Sequence, residues 1–325
     1  MNAHQENTRH HDQQSDMNAN EKRTVNTHFN PCFWIALWNE TYYNDILKNG
    51  ASKLKAREQL VYYLEINSNK SLRQKTNNVH YEKGLGLATI SREAYLSFCQ
   101  KYHPDQYKKV AAEMIDHPEE VYMDFENHFT ALENLPIYRV LLRIVHLGKP
   151  ISDEDFAWLG QFLQIHPLRS HVFINRATQL GKKKGDEKFV LFYFLKWSLA
   201  DPTFLLSQYF GILNSEWHFY VLNGKPFPLS DQPVLNRNGY ILATLSPSIV
   251  LFIKPKKSPP VIVAEKFIMN VTYHRKMHVF QWIRFKWMII RSARVGLVFN
   301  DQKTLRGWRD SLLWKMHRLL FRFDS

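Results

Sequence analysis

Two carboxylates and one imidazole stand where the pattern of the chain gives them no ordinary place in solvent. Glu133 follows Phe129 by four residues and Phe125 by eight, on the shoulder of an apolar periodicity that also includes Tyr122 and Leu132. A carboxylate half-buried in this way needs a partner or a raised pKa. Arg139, Arg143 or Arg169 would supply an ordinary structural ion pair. Asp231 belongs to Ser230-Asp231-Gln232-Pro233. A hairpin closed at Asn223-Gly224, extended outward, sets Ser230 opposite Trp217 and Asp231 opposite Glu216, and like charges facing each other across strands repel. A bulge, a turn in which Asp231 caps its own backbone, a neighbouring arginine or a bound cation would each relieve that repulsion. His28, three residues ahead of Pro31, reads either as a hydrogen-bonded packing residue or as a base. Phosphodiester hydrolysis would use all three: Glu133 and Asp231 as oxygen ligands to a hard divalent cation such as Mg²⁺, and His28 as the base.

Residues suited to holding a substrate surround this set. In Gln164-Ile165-His166-Pro167-Leu168-Arg169-Ser170-His171 the proline removes a helical hydrogen bond at a cost of about 3 kcal/mol. Such a break turns Arg169 and His171 toward whatever fills the gap, as a site wall or as a plain end of a helix. Ser230 adds a hydroxyl beside Asp231. Further on, Lys276, Arg284, Arg291 and Arg294 share one sector of a helical wheel with Phe280 and Trp287 between them. That combination of cations and rings is found in proteins that bind single strands, and is equally the solvated edge of a core helix.

Charge points the same way. From Lys254 to Ser325 there are 16 Lys and Arg against four acids, a net +12, while the preceding residues carry 27 against 26. Nucleic acid or an acidic membrane surface is the expected partner of such an asymmetry, with simple solvation as the alternative. Lys303 to Phe323 places Leu305, Trp308, Leu312, Leu313, Met316, Leu319, Leu320 and Phe323 on one broad face. That face is expected to dock on the domain and to leave Trp314 and Phe321 exposed among Lys315, Arg318 and Arg322.

The elements that must position these groups follow from period and punctuation. Leu60–Ile66 and Asn78–Tyr81 read as a hairpin, after a short helix near Asn44–Lys48. Ser91 opens a helix, and His117-Pro118-Glu119-Glu120 opens another. Helices over Ser152–Gln179 and Glu187–Tyr209 come next. The loop Gly181-Lys182-Lys183-Lys184-Gly185 between them lacks the Gly spacing and the Ser or Thr of a phosphate loop. From Trp217 the period becomes two. Trp217–Leu222 pairs with Lys225–Leu229 as an edge strand, with Pro226 and Pro228 at sites that need no N–H, and Tyr240–Leu245 pairs with Ile249–Ile253.

With 45% hydrophobic residues and 14% aromatics, the chain has the means to build a large core. Cys32 and Cys99 alone make neither a disulfide framework nor a thiolate zinc site. No signal peptide pattern opens the chain and its strongest apolar stretch, Phe189–Ala200, is too short to span a bilayer. A reducing cytoplasm is expected. Residues 1–26, polar and charged, form a disordered tail; 27–300 form a single α+β domain, mainly helical with a small antiparallel sheet; 301–325 form a basic amphipathic helix packed on it.

Four segments together resemble one family: Asn26-Thr27-His28-Phe29-Asn30-Pro31-Cys32-Phe33-Trp34, Asp124-Phe125-Glu126 leading into Leu132-Glu133, Leu168-Arg169-Ser170-His171, and Phe227-Pro228-Leu229-Ser230-Asp231-Gln232-Pro233. In this order they are similar to the bacterial domain-of-unknown-function family numbered four-two-three-eight, over most of the chain from about Asn26 to Asn300. The resemblance marks His28, Pro31, Glu133, Arg169, Ser230, Asp231 and Pro233 as positions to watch and implies no particular reaction. Pro167, just ahead of Leu168, departs from the family pattern. The expectation is a nucleic-acid-associated protein, a metal-dependent hydrolase in one version, and a non-catalytic or membrane-surface interaction protein in the other.

Overall fold

Two sets of side chains, alternating along the same strands, dictate how the layers stack. The computed structural model describes residues 26–28, 30–50, 52, 54–83, 87–102, 104–113, 120–124, 140, 143, 151–170, 173, 175, 179–180, 183, 212, 214–222, 226–256, 262–263, 266–267 and 270–321. Its elements begin with β1 (Asn26–His28), α1 (Cys32–Ala36), α2 (Glu40–Asn49), β2 (Leu60–Glu65), β3 (Ser71–Lys75), β4 (Tyr81–Lys83) and β5 (Leu87–Ser91). After these come α3 (Arg92–Tyr102), α4 (Pro104–Glu113), β6 (Glu120–Asp124) and α5 (Asp153–Ile165). A run of strands follows: β7 (Glu216–Val221), β8 (Leu229–Ser230), β9 (Val234–Arg237), β10 (Tyr240–Ser246), β11 (Ile249–Lys254), β12 (Ile262–Val263), β13 (Lys266–Phe267) and β14 (Asn270–His274). The last elements are α6 (Val279–Ser292), β15 (Gly296–Phe299), α7 (Gln302–Arg309) and α8 (Leu312–Phe321).

The expectation of a mainly helical domain with one small antiparallel sheet is overturned. A five-stranded sheet, ordered β14-β7-β11-β10-β9, and a four-stranded sheet, ordered β3-β2-β15-β8, form the framework of the described residues. Along β7, Trp217, Phe219 and Val221 enter one core while Tyr220 enters another, and along β11 Ile249, Leu251 and Ile253 separate from Val250 in the same way. The four-stranded sheet divides likewise, with Tyr63 and Val298 on one side and Leu64, Leu297 and Phe299 on the other. The central strands of both sheets are therefore buried on both faces. The apolar run Ile249–Ile253 is the sequence signature of that double burial, because successive side chains of a strand point to opposite faces. The first core is covered by α1, α2 and α5 through Trp34, Trp38, Ile46, Phe156 and Leu159; the second by α6, α7 and α8 through Phe285, Ile289, Trp308 and Trp314. Lys286 lies in the second layer, its ammonium 5.0 Å from the centre of the Trp282 ring and 4.5 Å from that of Trp308, and burial lowers its pKa to about 8.

Local signals account for most helix ends. Asn39 caps α2 by accepting from the Tyr42 N–H, and Gly50, at φ 76°, ends it. Ser152 caps α5 by accepting from the Asp155 N–H, ahead of three acids in the first turn. The buried Asp155 carboxylate also meets Arg143 at 3.0 Å, so among the three arginines considered for Glu133, Arg143 has Asp155 as a partner. Instead of running to Gln179, α5 stops at Ile165, and Pro167 sits in a 3-10 turn, His166–Arg169.

Several strand pairings differ from expectation. Glu120–Asp124, read as the start of a helix, is strand β6, paired with β5 from Ser91↔Glu120 to Leu87↔Asp124. The partner of β2 is β3, with Leu64↔Ser71, rather than Asn78–Tyr81; the outer strand is so exposed that it carries no apolar alternation. The hairpin over Tyr240–Ile253 forms as expected, with Ala243↔Leu251. Asn223-Gly224 itself lies outside the described residues, but the strand before it does not pair with the segment after it. Both edges of β7 are taken, by β11 antiparallel and by β14 in parallel, and Lys254, not Asp231, faces Glu216 and pairs with it at 3.1 Å. Pro226 and Pro228 therefore lie in the passage that carries the chain into β8, an edge strand of the other sheet, instead of within a strand of their own. The Asn-Gly turn that closes a hairpin is Asn238-Gly239, both residues at positive φ (53° and 79°), between β9 and β10. The single C-terminal helix is two, broken at Asp310-Ser311, where Ser311 Oγ donates to the Trp308 carbonyl and accepts from the Trp314 N–H. Residues 1–25 and the expected helix over Glu187–Tyr209 lie outside the described residues.

Candidate functional site

Ser230-Asp231-Gln232-Pro233 is the crossover between the two sheets, since β8 belongs to one and β9 to the other. A crossover through the interior must satisfy its own polar groups. Asn30 Nδ2 donates to the Ser230 carbonyl at 2.8 Å and to His80 Nδ1 at 2.8 Å. Because Nδ1 accepts, the His80 proton sits on Nε2, which donates to the Gly296 carbonyl at 3.1 Å. The Asp231 N–H donates to that same carbonyl at 3.3 Å. In return the Asp231 carboxylate accepts the Arg294 N–H, 3.0 and 3.2 Å from its two oxygens. Asn30, His80, Ser230 and Asp231 are all buried. His80 holds φ at 54°, in the left-handed region that histidine, with Asn and Asp, enters more readily than most non-glycine residues, and its ring meets Tyr63 edge-on at 5.7 Å.

Burial pushes the Asp231 carboxyl up to about 6, against the opposing pull of the backbone N–H groups of Arg294, Val295, Gly296 and Asp231 itself. Burial, then the charge of Asp231 and that of Glu65, raises the Tyr63 phenol. This geometry makes Asp231 a cap on the α6–β15 turn, 63 residues away, and not a cap on its own turn, the capping alternative among its four readings. Its carboxylate oxygens face N–H donors, and among the described residues no group of three His, Cys, Asp or Glu side chains gathers.

Of the other expected site residues, Glu133 and His171 lie outside the described residues, so the shared cleft expected for Glu133 and Asp231 has one member placed. His28 is in β1, opposite Tyr81, and Arg169 ends the 3-10 turn that packs on β9. Ser230 Oγ accepts from the Gln232 N–H and meets Ser292 Oγ at 3.4 Å. Arg284 and Arg291 are exposed on α6. Lys276 precedes that helix and Arg294 follows it, so neither shares its wheel; the Arg294 N–H is the one that Asp231 accepts. Trp314, expected in solvent, is buried, with Nε1 donating to Asn69 Oδ1 at 3.0 Å. The Phe321 side chain is outside the description.

Outside the buried network lies a pocket of about 440 Å³. Pro167, Ser170 and Phe173 form one wall, Gln232, Asn236 and Arg237 a second, and Trp287, Arg291 and Ser292 of α6 a third. Gln232 Nε2 is buried there with no hydrogen-bond partner among the described residues. Two segments of the family-like set and the basic helix thus converge on one cavity, whose size suits a small organic ligand or one unit of a polymer. Asn30, Tyr63 and His80 were not among the expected site residues. Only their pairing across 50 and 200 residues of chain singles them out, and no local pattern contains it. No family model, no curated protein and no solved structure matches this chain. Among the described residues no helix is long and apolar enough to cross a membrane.

Proposed function

We propose that this is a cytoplasmic, non-catalytic binding protein for single-stranded nucleic acid, which lies along the outer face of α6 with one base in the pocket beside it. The observation that carries the reading is the outer sector of α6 itself. Phe280 is 76% exposed, Arg284 and Arg291 are exposed a turn or more further on, and Trp287 between them forms a wall of the pocket. Successive bases stack on exposed rings such as this one while guanidinium groups hold the phosphates. Within the pocket, Trp287 and Phe173 offer faces for a base, Gln232 and Asn236 offer amides for its edge, and Arg237 and Arg291 stand at the walls for phosphate. Two of the segments that resemble family four-two-three-eight line this same cavity, which supports a binding role there.

Anisotropy titration of a labelled oligo(dT) over a range of NaCl concentrations checks this. Each phosphate contact on a single strand contributes about 0.7 to the slope of log K against log salt, so the variant Arg284→Gln/Arg291→Gln is expected to lower that slope by about 1.4. Its thermal stability should match the wild type, because both side chains are exposed. Absence of oligonucleotide binding by the wild type, or an unchanged slope in the variant, ends the proposal.

A further inference from the structure

Helix α8 turns Trp314, His317 and part of Leu313 inward and leaves a stripe of aliphatic side chains outward. Trp314 and His317 are buried, whereas Leu312, Met316, Leu319 and Leu320 are 72, 43, 60 and 56% exposed. Positions i, i+4, i+7 and i+8 form one continuous stripe on a helix. Lys315 is exposed beside that stripe, and Arg318 is half-buried on its shoulder. The adjoining helix α6, which packs against α8, begins with Val279 and Ile283 also exposed, just after the exposed Arg275 and Lys276. Soluble monomers seldom leave so many large aliphatic side chains uncovered in one region.

We propose that the outer stripe of α8 seats the protein on an anionic lipid surface, with the helix lying in the plane of the interface, its leucines among the acyl chains and Lys315 at headgroup level. Charge decides among occupants. A second copy of the chain, docking through the same stripe, would bring two segments of net +12 together, and their repulsion opposes that pairing. An acidic bilayer neutralises the same charges and accepts the leucines as well. A nucleic acid would satisfy the cations and leave the four aliphatic side chains in water. The ten residues of α8 span about 15 Å, half the thickness of a bilayer core, which leaves lying flat as the way to bury the stripe. The surface is separate from the pocket and does not depend on the nucleic-acid reading.

Co-flotation of the full chain with vesicles tests it, using phosphatidylcholine alone and phosphatidylcholine mixed with phosphatidylserine. The wild type is expected to float with the mixed vesicles and not with the neutral ones. Leu312→Ser/Leu319→Ser/Leu320→Ser, which changes only exposed positions, should weaken that binding about tenfold or more, with an unchanged circular dichroism spectrum and unchanged oligo(dT) affinity. Three results overturn the proposal: failure of the wild type to float with acidic vesicles, equal flotation of the variant, or a dimer of the wild type in sedimentation that the variant abolishes.

Discussion

Gly296→Ala is expected to cost about 3 kcal/mol or more in stability, at or beyond the upper end of what overpacking a core commonly costs. A Cβ at this position would overlap the Tyr63 ring at Cε2, Cζ and the hydroxyl oxygen. The overlap is with a rigid ring instead of the free end of a flexible chain, and Tyr63 has nowhere to go, being buried and set edge-on against His80. Moving the backbone is no easier. Gly296 lies in β15 between β2 and β8, and its carbonyl accepts from both His80 and Asp231. Urea unfolding of the single and double variants measures the effect and its cause together. In a Tyr63→Ala background, itself destabilised by loss of the ring, adding Gly296→Ala should cost less than about 1 kcal/mol, a coupling that follows from shared space. Equal losses in the two backgrounds would refute the steric account.

Stability of the wild type relative to Asp231→Asn is expected to fall by about 2 kcal/mol between pH 4 and pH 8. The folded Asp231 carboxyl has its pKa raised to about 6 from the ordinary 3.8, so the folded state holds this proton more tightly than the unfolded chain. The resulting stabilisation is complete below pH 3.8 and is lost as pH rises through 6; roughly two pKa units at 1.36 kcal/mol each set its size. Buried histidines act in the opposite sense. Burial lowers His166 to about 3, and burial with the charge of Arg294 lowers His317 to about 4. Their contribution is present above pH 6.5 and declines as pH drops toward those values, so the wild-type curve alone mixes the two trends. Subtracting the Asp231→Asn curve isolates the carboxyl. Asparagine turns an NH₂ toward the N–H groups that the carboxylate accepts, so the variant is less stable throughout, and only the slope of the difference carries the test. Parallel curves from pH 4 to 8 would mean that Asp231 is solvated or paired in a way this network does not contain.

Much of the chain was legible one segment at a time. The hairpin over Tyr240–Ile253, the start of α3 after Ser91, the cap at Ser152 and the presence of a basic, partly aromatic helix near Arg284 all follow from side-chain period and from groups within four residues of each other. The basic excess of the last quarter is likewise a property of composition. Exposed strand β3, with Leu72 its single apolar residue, has no period to read, and β6 begins in Pro and acid signals that are shared with helix starts.

Asn223-Gly224 and Asn238-Gly239 offer the same turn chemistry, yet of the strands flanking them only β9 and β10, around the second, pair with each other. The difference lies in whether the preceding strand has a free edge: β9 does, whereas β11 and β14 occupy both edges of β7. The site was decided in the same way. Asp231 acquires its role from a turn 63 residues later, and its neighbours Asn30 and His80 are brought in from the far end of the chain. The sequence by itself determined that the C-terminal helix would be amphipathic, because a 3.6-residue period sorts side chains into faces regardless of context. Which face turns inward was settled only when the β2–β3 turn offered Asn69 to the Trp314 indole, burying the ring and leaving the leucines to face outward.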